Sequence, residues 1–182
     1  MNYILIGSIL LALYFLGSIA FRQKSTHRGQ RVVTKLSNDI QTFIKYLDQK
    51  YTPKDGEIDN VMSRIAKNFN PAQVYEHLGS GEGDTSYTIG KGEKMYVCVR
   101  GQGGKIHDNN TIIFVMLHEI AHIGNKEWGH SINDFWPIFK TILQDAVDYG
   151  IYTPVDYAKS PVAYCGMSIN YNPLFDVNLH SA

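Results

Sequence analysis

The segment from Thr111 to Gly124, TIIFVMLHEIAHIG, constrains the fold of this chain more than any other. It is helical in length and almost wholly apolar, yet it holds His118, Glu119 and His122. Asn109, Asn110 or Thr111 can supply the N-cap oxygen, and Gly124 can stop the helix in a left-handed conformation. Ionisable side chains on so apolar a helix are costly to bury unless partnered. Positions i and i+4 lie one turn apart on one helical face, so the imidazoles of His118 and His122 can grip a single metal ion. Glu119, one residue beyond His118, can then reach a water activated by that ion without being a prime ligand.

A metal site of this kind needs a third protein ligand. The sequence offers His130, Glu127, Asp134 and, further off, His107 and His180. His130 is favoured: it follows His122 across Gly124 and Gly129, a connection able to turn back to the metal. It also stands just before a second expected helix that ends at Tyr149, with Gly150 as its stop. Pro137 is tolerated only in a first turn, so that helix should begin around Asn133 or later. Trp128, Phe135 and Trp136 are read as packing that holds His130 in place. The expected ion is zinc (Zn2+), with His118, His122 and His130 as ligands, water in the fourth position and Glu119 as general base. A phenol could stabilise the oxyanion of a tetrahedral intermediate; Tyr149, Tyr152, Tyr157 and Tyr164 all follow the site. Met167 is a candidate hydrophobic floor beneath the ion.

HEIAH, a short Gly-containing loop, and then GH followed closely by FW resemble the SprT-like and WLM group of zinc metallopeptidases. The resemblance covers roughly residues 94–145. It implies a zincin-like fold in which His118, His122 and His130 bind zinc and Glu119 is the base. The loop from His122 to His130 is longer than in the HExxHxxGxxH pattern of metzincins. Some members of the group act on DNA–protein crosslinks, a substrate that the charge of this chain disfavours. The chain has 17 Lys+Arg and 17 Asp+Glu; setting aside Arg22, Lys24, Arg28 and Arg31 leaves 13 basic and 17 acidic residues after residue 31, a net charge of −4. A phosphate-binding surface needs the opposite balance.

Tyr3 to Phe21, YILIGSILLALYFLGSIAF, carries no charged side chain. At about 1.5 Å rise per residue it would span most of a ~30 Å hydrocarbon core. No Lys or Arg precedes it, whereas residues 22–31 hold four and no acid, unlike a cleaved signal peptide. The expectation is a transmembrane anchor over residues 1–21, a basic linker over 22–31 and a metallopeptidase-like domain over 32–182. The basic collar would keep that domain on the cytosolic side of a single-pass membrane protein. Two cysteines cannot make a disulfide-dense scaffold, and Cys165 is read as a buried structural thiol, with a fourth metal contact or a reactive thiol as its other readings.

Elsewhere, Val33, Leu36, Ile40, Phe43, Ile44 and Leu47 recur at helical spacing, with Pro53 as a stop. Val61, Ile65 and Phe69 mark a second short helix, broken at Asn70-Pro71. Residues 79–84 read as a flexible turn. Thr85–Ile89 and Lys94–Arg100 flank a Gly-containing connection and predict a β-hairpin; its second strand could lie beside the active helix and pair with an extended substrate. The chain after Tyr152 reads as an ordered, irregular tail. The whole predicts an α+β fold, helices dominating, with a small antiparallel sheet and an N-terminal transmembrane helix. The function expected is membrane-anchored hydrolysis of peptide bonds in a protein or peptide substrate. The alternative is a non-catalytic, metal-stabilised protein-binding module at a membrane, and a metal-free interaction domain is the third reading.

Overall fold

The computed structural model describes residues 2–51, 56–78 and 85–182, with side chains throughout except at 2–10, 20–26 and 102. The expected turn at 79–84 and the stop at Pro53 lie outside these residues, as do the side chains of 22–26 in the expected linker.

Helix α1 runs unbroken from Asn2 to Lys50. Val33, Leu36, Ile40, Phe43, Ile44 and Leu47 are buried, the stripe that the periodicity predicts. The apolar N-terminal run is not an element of its own, because the helix continues through Arg28, Arg31 and Lys35 into this amphipathic stretch. Among the described residues, no helix is long and apolar enough to cross a membrane. The expected transmembrane anchor, and the single-pass membrane placement built on it, are therefore corrected.

Helix α2 (Glu57–Asn68) buries Val61, Met62 and Ile65. Asn70 then accepts a hydrogen bond from the Ala72 N–H and opens a 3-10 turn at Pro71. Three strands follow: β1 (Val74–His77), β2 (Tyr87–Ile89) and β3 (Lys94–Cys98). Their spatial order is β1-β3-β2. β2 and β3 form the expected antiparallel hairpin, with Tyr87 opposite Tyr96. β1, absent from the sequence reading, lies parallel to β3 with Val74 opposite Met95. Gln30 of α1 covers the outer edge of β1: its side-chain amide donates to the Val74 carbonyl (3.2 Å) and its oxygen accepts from the Glu76 N–H (2.8 Å). One side chain thus makes the pair of bonds that a further strand would make.

Helix α3 (Asn109–Gly124) is the centre of the molecule. Ile112, Ile113, Phe114, Met116, Leu117, Ile120, Ala121 and Ile123 are all buried, so the helix is enclosed on nearly every side. Its N-cap is Asp108, one residue before the expected candidates, whose carboxylate accepts from the Thr111 N–H at 2.9 Å. Gly124 does not end the helix in a left-handed conformation; the cap is Asn125 with φ −71°. Gly124 is instead a contact point, since a Cβ there would lie 2.7 Å from Val61 and 2.8 Å from Ile65. Helix α4 (Phe135–Tyr149) places Pro137 in its first turn and stops at Gly150, φ 86°, both as expected.

The C-terminal segment contains a second hairpin, β4 (Val162–Tyr164) and β5 (Met167–Ile169). Its turn residues Cys165 and Gly166 both have positive φ, the geometry of a two-residue hairpin turn. Cys165 is not a free thiol: it forms a disulfide with Cys98, 67 residues earlier, which ties this hairpin to the central strand β3. Closing a loop of that length stabilises a fold by about 4 kcal/mol in the chain-entropy treatment. The double variant Cys98→Ser/Cys165→Ser is therefore expected to lose up to about 4 kcal/mol of unfolding free energy, read by denaturant titration against the oxidised parent; an unchanged midpoint would contradict this.

Candidate metal centre

His118 and His122 project from one face of α3, and His130 returns to them from the loop before α4. The Nε2 atom of His130 lies 2.9 Å from Nε2 of His118 and 3.1 Å from Nε2 of His122. A ring nitrogen carries either one proton or one lone pair, so His130 cannot satisfy both neighbours with well-formed hydrogen bonds. Three lone pairs aimed at one point are the donor set of a metal cation, and the cluster can hold one. Glu127, Asp134, His107 and His180 are not part of it; His107 instead packs on the Tyr164 ring at 4.9 Å.

Burial and the neighbouring imidazoles push His118 down to about 3. Burial, His130 and Lys91 push His122 down to about 4, and burial alone lowers His130. All three rings are thus neutral near pH 7, the state that binds metals. Glu119 moves the other way. It is 6% exposed, and burial raises it to about 8, against the opposing hydrogen bond from Thr88. A cation beside it would favour the carboxylate and reverse that shift.

The floor of the site is Phe135, fully buried. Its ring centroid lies 4.8, 4.3 and 4.7 Å from those of His118, His122 and His130. Met167, the expected floor, stands on the wall of the cleft and is 47% exposed. Trp136 takes the packing role expected of it, 5.8 Å from the His130 ring. Trp128 does not pack in the core; it is 63% exposed with the Lys91 ammonium 4.0 Å from its ring centroid.

Lys91 was not legible as a site residue. It sits in the β2–β3 turn at φ 55°, and its ammonium donates to the carbonyls of His122 (3.1 Å), Asn125 (2.8 Å) and Glu127 (2.9 Å). The Arg64 guanidinium adds a bond to the Gly124 carbonyl at 2.8 Å. Two cations therefore gather the carbonyls at the end of α3, and Lys91 fixes the path of the loop that delivers His130. The same hairpin orients Glu119, because the Thr88 hydroxyl donates to its Oε2 at 3.1 Å.

His118, Glu119, His122, His130 and Thr88 line a cleft of about 580 Å³ bounded by residues 85–88 on one side and 167–171 on the other. β3 cannot receive a substrate strand because it is central; in this three-stranded sheet, among the described residues, the edge left unpaired is that of β2. Of the four tyrosines considered, Tyr149 packs against Phe43 and Tyr46, and Tyr152 and Tyr157 pack on Phe114. Only Tyr164 lines the cleft. Its hydroxyl is engaged by Ser86 Oγ at 2.9 Å and by the Cys98 carbonyl, and burial raises its pKa. Tyr171 also lines the cleft, its hydroxyl donating to Asp176 at 2.9 Å; nothing in the sequence sets it apart from the other eleven of 12 tyrosines.

The chain is similar to "Uncharacterized protein R325" of Acanthamoeba polyphaga mimivirus, 31% identical over 140 residues, which are 76% of this chain and 68% of that protein. It is 32% identical over 120 residues to "Uncharacterized protein 042R" of Invertebrate iridescent virus 3, covering 64% of this chain and 69% of the relative. A third relative, "Uncharacterized protein 136R" of Invertebrate iridescent virus 6, is 34% identical over 91 residues, 48% of this chain and 50% of its own length. The chain belongs to the family of these viral proteins. No protein-family model matches it, and no solved structure does.

If Lys91 sets the path of the ligand loop, Lys91→Met should weaken metal binding by roughly 10- to 100-fold, as changes to groups supporting metal ligands do. Competition against a chromophoric chelator measures this, and an affinity equal to the parent's would refute the assignment.

Proposed function

We propose that the chain is a zinc metallopeptidase, hydrolysing peptide bonds in a protein or peptide substrate, as its resemblance to the SprT-like and WLM group implies. The observation that carries this reading is the meeting of three Nε2 atoms, two of them spaced by 2.9 Å and two by 3.1 Å, beside the buried carboxyl of Glu119. His118, His122 and His130 would hold the ion as neutral ligands. When bound, zinc supplies a Lewis acid for the substrate carbonyl and lowers the pKa of water toward about 7.

Glu119 takes the proton of the attacking water and returns it to the departing amine, the general base becoming the general acid. Thr88 holds one carboxyl oxygen, so the other is the better placed for proton transfer. Phe135 keeps the ligand rings packed from below and excludes water on that side. The unpaired edge of β2, along the cleft, suits the backbone of an extended peptide. Among the described residues the metal-ligating cluster has three members. Three protein ligands leave a coordination position for reactants, whereas a structural site closes with four; this favours the enzyme over the binding module.

Glu119→Gln is expected to retain one zinc per chain and to lose hydrolysis by about 10²- to 10⁴-fold. Elemental analysis and a peptide-cleavage assay, run with and without chelator, check the two halves separately. Cleavage by the variant at the parental rate would remove Glu119 from the mechanism, and a parent protein devoid of zinc affinity would remove the mechanism itself.

A further inference from the structure

We propose that the cleft selects peptides with a bulky apolar side chain beside the scissile bond, seated in an aromatic bay next to His118. This rests on the metallopeptidase reading and gives it a substrate class. The bay is made by Phe114, Val115, Trp136, Phe139, Ile169 and Tyr171, all of which line the cleft. Phe114 and Val115 precede His118 by about one helical turn, so the bay adjoins the first ligand directly. Phe139 lies 5.2 Å from the His118 ring and 5.2 Å from Phe114, centroid to centroid. Trp136 stands 6.2 Å from His118 and edge-on to Tyr171 at 4.9 Å. The apolar surface thus begins at the metal ligands and continues outward to the half-buried pair of Trp136 and Tyr171.

The charge pattern points the same way. Among the described residues that line the cleft, Glu119 is the only acid, and neither Lys nor Arg is present. Within the bay an ionised substrate side chain would lose its hydration and meet no counter-charge from Phe114, Val115, Trp136, Phe139, Ile169 or Tyr171. A Leu or Phe side chain loses nothing comparable and gains by leaving water. Polar groups line the cleft on both sides, at Thr85, Ser86 and Thr88 and at Ser168 and Asn170, where a peptide backbone can use them. About 580 Å³ has room for a few residues of a peptide.

Two experiments on the zinc-loaded full chain test this. In the first, an unbiased peptide mixture is digested and the cut sites are mapped by mass spectrometry. Leu, Ile, Met, Phe and Tyr should be enriched at least about tenfold over Asp, Glu, Lys and Arg at one position flanking the cut. The second needs no turnover. Hydroxamates of N-acetyl-phenylalanine and N-acetyl-leucine should bind at least about tenfold tighter than those of N-acetyl-aspartate and N-acetyl-lysine by calorimetry. Val115→Arg, with zinc content verified, should abolish that preference. Zinc-loaded protein that binds all four hydroxamates within threefold overturns the bay and leaves the metal site intact, as does a Val115→Arg variant with an undiminished preference. Protein that takes up no zinc overturns both.

Discussion

The Nε2 atom of His130, carried in on a loop, lies 2.9 and 3.1 Å from those of His118 and His122 on a helix buried nearly all round, a demand that the protein's own groups do not meet. Each polar group left unsatisfied in such a place costs about 1–3 kcal/mol. The Nδ1 atom of His122 has no partner among the described residues, and the Nε2 atoms face each other. A cation relieves the second of these conflicts at once. The burial of α3 fixes where His118 and His122 stand, and His130 meets them from the exposed side.

The surrounding structure serves to hold this convergence. Phe135 packs against all three rings, edge-on to His118 and His130 and tilted against His122. Lys91 and Arg64 gather four carbonyl groups at the end of α3 and along the ligand loop. The β2–β3 hairpin contributes twice, through Thr88 on the carboxyl group and Lys91 on the loop. A single hairpin therefore positions Glu119 and the loop bearing His130 relative to each other, although they come from different parts of the chain.

What could be read in the sequence was what depends on neighbours along the chain. The buried stripe of α1, the first-turn position of Pro137, the stop at Gly150 and the His118–His122 spacing are all local patterns. His130 was accessible because a short glycine-bearing loop limits where its ring can go. The misses are non-local. β1 pairs in parallel with a strand some twenty residues on, and its mixed VYEH pattern carries no clear alternation. Cys98 and Cys165 meet only after the C-terminal hairpin has folded back. A turn lysine such as Lys91 looks solvated until three carbonyls are found around it. The apolar run at residues 3–21 was judged by its own side chains, whereas the helix that contains it extends through a charged and amphipathic continuation to Lys50.

The amide of Gln30 makes the sheet one-sided as a template. By occupying the hydrogen-bonding groups of Val74 and Glu76, it blocks recruitment of an outside strand along β1, a common route to self-association. The remaining border of the sheet runs beside Glu119. Any extended chain that zips onto this sheet is thereby steered toward the histidines, and the device that guards against stickiness on one flank also gives incoming backbone a single approach.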